Sequence, residues 1–111
     1  MEAADIVLAT IPQDNQQKLR PVLILKVLPK YNDLLVCAIS SQLHQLVPDF
    51  DLILEDSHSA FADSGLRASS IFRLGNLAVL SPADIAGTIG ILSPGLHEEL
   101  IRNLANFLLD Q

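Results

Sequence analysis

At 111 residues the chain has room for one hydrophobic core and not for two. Half of its residues are apolar, which excludes extended disorder, yet no apolar run approaches the ~20 residues that a membrane span requires. The formal charge of −6 excludes a long basic groove for nucleic acid. The charges are nevertheless segregated. Lys18, Arg20, Lys26 and Lys30 fall in one short stretch, whereas Asp49, Asp51, Glu55, Asp56 and Asp63 fill a later one with no Lys or Arg among them. A local basic patch on an acidic domain is compatible with that order. The start, Met1-Glu2-Ala3-Ala4-Asp5, lacks the basic segment of a signal peptide. The single cysteine, Cys37, has no partner for an internal disulfide, and the cytoplasm is the expected compartment.

In chain order, Ile6 to Ile11 reads as a strand rich in Ile, Val and Leu that Pro12 stops. A polar connection follows over residues 13–18. Val22 to Leu28 is a second strand, ended by Pro29, and Asn32-Asp33 turns the chain into a third, Leu34 to Ile39. Both runs are continuously apolar rather than alternating, so both of their faces should be covered. Phe50 to Leu54 is a short fourth strand and Asp63-Ser64-Gly65 a turn. Ser70 to Leu74 and Leu77 to Leu80 form a further strand region interrupted at Gly75-Asn76. Ser81-Pro82-Ala83-Asp84 has the chemistry of a helix start, which Gly87 would stop after one or two turns, and Thr88 to Leu92 is a last short strand. The long helix comes at the end. Ser93 is placed to cap it, Pro94 suits its first position, and Leu96, Leu100, Leu104 and Leu108 recur every four residues, with Ile101 and Phe107 widening the stripe. Short strands, turns and a closing helix predict a small, curled, mostly antiparallel sheet.

Two places carry chemistry. Arg20-Pro21 opens the second strand, and Ser40-Ser41-Gln42 closes the third. If those strands are neighbours, a planar guanidinium fork meets two hydroxyls and an amide, a set suited to gripping a phosphodiester. The other reading is a solvated arginine and a polar turn, and the residues alone leave both open. His44, His58 and His97 show no metal-ligand spacing with Cys37 or with one another, and Cys37 sits in an apolar run as a core residue. No phosphate-cradling glycine loop or dinucleotide fingerprint is present.

Asp5-Ile6-Val7-Leu8, then Lys18-Leu19-Arg20-Pro21-Val22-Leu23-Ile24-Leu25, then Val36-Cys37-Ala38-Ile39-Ser40-Ser41-Gln42 resembles the N-terminal half of the MazF/PemK toxin family. Asp63-Ser64-Gly65-Leu66-Arg67-Ala68-Ser69-Ser70-Ile71-Phe72-Arg73-Leu74, Gly87-Thr88-Ile89-Gly90 and the helix opened by Leu92-Ser93-Pro94 resemble its PemK-like branch. The glycine-free segment Gln16-Gln17-Lys18-Leu19 before Arg20 is likewise closer to that branch than to members with a Gly- and Glu-containing loop, the loop that gates the site in the family.

The resemblance implies one domain over residues 1–111, mostly β with a C-terminal helix, in the SH3-like small barrel that the family shares with gyrase-poison toxins. It implies a metal-independent endoribonuclease without a cofactor, acting on single-stranded RNA such as mRNA through 2′-hydroxyl attack to leave 2′,3′-cyclic phosphate and 5′-hydroxyl ends. It also implies a homodimer with its RNA groove along the dimer interface, neutralised by a cognate antitoxin peptide. Carried over by position, Arg20 and Ser40 are the catalytic pair, with Ser40 standing where the family more often has Thr. Lys18, Ser41, Gln42, Ser70 and Arg73 are candidate RNA contacts. The rival expectation is a non-catalytic interaction module on the same barrel, either a gyrase-binding poison or a degenerate toxin that binds only a partner peptide.

Overall fold

The computed structural model describes residues 1–10 and 18–110. Six strands, β1 (Asp5–Thr10), β2 (Leu19–Val27), β3 (Leu34–Ser40), β4 (Leu52–Leu54), β5 (Ser70–Leu80) and β6 (Ile85–Ile91), form one sheet in the order β4-β5-β3-β2-β1-β6, with every pairing antiparallel. A single-turn helix α1 (Phe61–Ser64) precedes β5, and the long helix α2 (Pro94–Leu109) ends the chain. The expected end of the first strand at Ile11, its stop at Pro12 and the polar connection up to Gln17 lie outside the described residues.

The two continuously apolar strands behave as their pattern demands. Val22, Leu23, Ile24 and Leu25 on β2 are all buried, as are Val36 to Ile39 on β3, and alternate side chains feed two separate clusters. One gathers Ile6, Leu23, Leu25, Cys37, Phe72 and Leu74 under Leu100 and Leu104 of α2. The other gathers Val7, Ala9, Val22, Ile24, Val36 and Leu80. These strands therefore have no solvent face, and they hold the chain ends that carry polar residues in a fixed place.

Several expectations are corrected. The strand region 70–80 is one strand, and Gly75-Asn76 lies within a bulge: Arg73 faces Ala38 and Leu77 faces Cys37, so Leu74, Gly75 and Asn76 have no partner on β3. The bulge frees the Leu74 N–H from the ladder, and the buried Asp51 accepts it through Oδ1 at 3.0 Å. Its Oδ2 accepts the Val47 N–H at 3.0 Å, so one carboxylate ties the bulge to the loop before β4. Ser81 and Asp84 do form a capping box, with Ser81 Oγ accepting from Ala83 N at 3.2 Å and Asp84 Oδ2 from Ser81 N at 3.0 Å. It supports a single 3-10 turn, because β6 begins at Ile85 to pair with β1. The short helix α1 stands just before Gly65, where only a turn was expected. Ser93 precedes α2 but its side chain makes no cap; its carbonyl accepts from His97 N at 3.0 Å. Finally, the apolar stripe of α2 is buried only at Leu100 and Leu104, while Phe107, Leu108 and Leu109 are at least 60% exposed as the last turn passes beyond the core.

Candidate nucleic-acid interface

The register of β2 on β3, with Val22 opposite Ala38, carries Arg20 and Ser40 to the same end of adjacent strands. Arg20 stands at the second residue of β2, opposite Ala9 of β1, and its side chain is exposed. Pro21 cannot donate a ladder hydrogen bond, yet it keeps its place opposite Leu8 and sets the backbone beside the arginine. Ser40 is the last residue of β3. Its Oγ accepts the Gln42 N–H at 3.1 Å and donates to Gln45 Oε1 at 3.4 Å, so the hydroxyl closes the turn that follows the strand. Beyond it Leu43–Gln45 make one 3-10 turn.

A cleft of about 630 Å³ opens at this end of the sheet. Arg20, Ser40, Ser41 and Gln42 line one part of it, and Gly65, Leu66, Arg67 and Ala68 line another, with Leu8, Leu19 and Ile89 as apolar wall. Its described lining holds two arginines and no carboxylate, which makes it an anion-seeking surface on an acidic protein. A larger cleft of about 790 Å³ between Val47, Phe50, Asn103 and Phe107 has the opposite character, with Asp49 and Asp110 in its lining and no cation.

Of the residues expected at the site, the cleft brings together Arg20, Ser40, Ser41, Gln42 and Ser70. Ser70 is buried and its Oγ donates to the Ala68 carbonyl at 2.8 Å, so its hydroxyl proton braces the loop rather than reaching outward. Lys18 and Arg73 do not line the cleft. Lys18 is exposed just before β2, and Arg73 is half-buried opposite Ala38. Reading the sequence missed Arg67 as a site residue, although it stands in the quoted Gly65-Leu66-Arg67 segment, because nothing local shows that this loop folds against the end of β3. Gln45 was missed for the same reason.

The histidines take no part in the cleft lining. His58 Nδ1 accepts from Ala60 N at 2.9 Å, and His97 is half-buried with Nε2 donating to the Leu25 carbonyl at 3.0 Å. Burial first, and then the nearby Asp51 charge, push the Cys37 thiol well above its ordinary range, so it remains a neutral core group. Among the described residues no three His, Cys, Asp or Glu side chains come together as a ligand set, and no helix is long and apolar enough to cross a membrane.

Comparison with known proteins agrees with this architecture. The Mycobacterium tuberculosis toxin MazF-mt6 is similar in structure with a TM-score of 0.71 at 25% identity, over 96% of this chain and 99% of that one. A mycobacterial structure described as an endoribonuclease in complex with its cognate antitoxin shares the fold with a TM-score of 0.71 at 12% identity, over 100% of this chain and 98% of that one. No curated protein matches the chain. The family of PemK-like, MazF-like toxins of type II toxin-antitoxin systems matches residues 2–108. With that match over nearly its whole length, and the mostly β sheet and closing helix of the MazF toxin fold, the chain belongs to this toxin family.

Proposed function

We propose that the protein is a cytoplasmic endoribonuclease toxin that cleaves single-stranded RNA without a metal, works as a homodimer and is neutralised by a cognate antitoxin peptide. The observation that carries the reading is the convergence of Arg20 and Ser40 at one end of adjacent strands, in a cleft whose described lining holds two arginines and no carboxylate. The family to which the chain belongs is one of endoribonucleases, and a protein of the same fold is described as an endoribonuclease held by its antitoxin.

In this reaction the 2′-hydroxyl of the substrate gives up its proton as its oxygen attacks the adjacent phosphorus, the bond to the 5′-oxygen breaks and that oxygen takes up a proton, and the products are a 2′,3′-cyclic phosphate and a 5′-hydroxyl. Negative charge builds on the equatorial phosphate oxygens as the attack proceeds. The Arg20 guanidinium, held at the mouth of β2, stabilises that charge with a planar pair of donors. The Ser40 hydroxyl orients a phosphate oxygen, and Ser41 and Gln42 supply neutral donors beside it. Single strands suit this chemistry because their 2′-oxygen can swing into line with the leaving group, which an A-form helix resists.

The test is incubation of the purified protein with a mixed-sequence single-stranded RNA in EDTA, followed by end-group mapping. Cleavage with cyclic-phosphate and 5′-hydroxyl ends is the expected result. Activity that disappears in EDTA and returns with magnesium overturns the mechanism. Intact RNA under all conditions transfers the assignment to a non-catalytic interaction module.

A further inference from the structure

The nuclease reading uses one of the two guanidinium groups in the cleft and leaves Arg67 without a role. Arg67 lies on the loop between α1 and β5, is exposed, and has no ion-pair partner among the described residues. The loop that carries it is tightly anchored. Gly65 adopts φ +72° and lies so close to the Ile89 carbonyl of β6 that a side chain there would collide with it, and Gly90 is packed equally close on the Ser64 carbonyl. The buried Ser64 Oγ accepts the Leu66 N–H at 3.2 Å, and on the far side of Arg67 the buried Ser70 Oγ donates to the Ala68 carbonyl at 2.8 Å. Asp56 N donates to Ser69 Oγ at 2.8 Å, fixing the same stretch from outside. The loop therefore presents its arginine from a braced frame, with little backbone freedom left to lose on binding.

The sheet order says where that arginine stands. β3 lies between β5 and β2, so the chain leading into β5 and the mouth of β2 flank Ser40 from opposite sides. Two like charges in one cleft favour an occupant with repeated negative charge rather than a single small anion.

We infer that Arg67 binds the RNA phosphate adjacent to the scissile one, so that the cleft that holds Ser40 grips two consecutive phosphates of a single strand. The inference rests on the ribonuclease reading and deepens it. Arg67 is a binding and positioning residue here, and it sets how the strand is registered on Arg20 and Ser40.

The experiment uses a fluorescein-labelled 2′-O-methyl RNA of mixed sequence, which cannot undergo the reaction, and follows binding by anisotropy across a salt series. Each phosphate contact with a single strand contributes about 0.7 to the slope of log affinity against log salt. Arg67→Gln is expected to weaken binding and reduce the slope by about 0.7. Arg67→Lys should restore the slope, because a charge still faces the phosphate. Arg102→Gln is the control: it removes the same charge from the exposed Glu98 pair on α2 and should leave the slope unchanged. An Arg67→Gln slope equal to the parent's, or an equal fall in Arg102→Gln, overturns the assignment while leaving the ribonuclease reading in place. A parent protein that does not bind the RNA overturns both.

Discussion

In the proposed reaction Arg20 and Ser40 have separable roles, and substitution tells them apart. Arg20→Lys keeps the positive charge and removes the bidentate fork. Loss of one preorganised electrostatic donor lowers the single-turnover rate by roughly a hundredfold or more, while RNA binding weakens far less. Ser40→Ala should slow the reaction more mildly. Both variants should melt near the parent temperature, since Arg20 is exposed and Ser40 is at the end of its strand. An Arg20→Lys protein that cleaves at the parental rate would remove Arg20 from the chemistry. Asp51 is the contrasting residue, because its charge is structural. Its two oxygens satisfy the N–H groups of Val47 and Leu74, and Asp51→Ala leaves both without an acceptor. Leu74 is buried whereas Val47 is exposed, so the uncompensated cost falls on the Leu74 N–H, about 1–3 kcal/mol, and chemical denaturation should show a fall in stability of that order. The acidic stretch that Asp51 belongs to gives no sign in sequence that one member is buried. The burial follows from a bulge in a strand 23 residues further on.

At the scale of elements, the periodicity of the last helix identifies which residues could face the core but not how far along the helix the core extends. Leu100 and Leu104 are buried, whereas Leu108, one turn later, is 70% exposed. Leu104→Ala is expected to cost about 2–5 kcal/mol as a large-to-small change in a packed site; an unshifted melting temperature would show that the helix is not part of the core. The link between α1 and β5 is the second element whose integrity can be measured. Gly65 combines a left-handed backbone with contact against the Ile89 carbonyl, so Gly65→Ala meets both strain and collision. Its cost should exceed the ~1 kcal/mol typical of backbone strain alone, and it should loosen the cleft wall that carries Arg67. Thermal melting gives the first quantity. The strand assignments were legible because β2 and β3 are continuous apolar runs closed by proline or turn residues. The bulge in β5 was not, since Gly75-Asn76 reads equally well as a break between two strands.

For the whole molecule, charge is distributed rather than averaged. A net charge of −6 coexists with a cleft whose described lining holds two arginines and no carboxylate. A single sheet of this size presents a short groove, and in the proposed dimer a second copy would extend the RNA site. Sedimentation at micromolar concentration should therefore give the mass of a dimer, twice 12.1 kDa, and a monomer there would count heavily against the proposed dimeric nuclease. By itself the sequence determined the class of the protein: its composition excluded disorder and a membrane span, its apolar runs set the central strands, and its ordered motifs carried the family resemblance. Arg20 and Ser40 were legible because each stands at the end of a strand whose apolar pattern is unambiguous. Only the tertiary structure decided that Lys18 and Arg73 do not line the cleft, that Ser70 braces a loop, and that Arg67 and Gln45 belong near Ser40. The Ser40–Gln45 and Ser70–Ala68 contacts are local in the chain, but the makeup of the cleft depends on which segments meet at one end of the sheet. Such meetings are set by strand order, the β5 bulge and the seating of Gly65 on β6, contacts between residues far apart in the chain, and no local pattern records them.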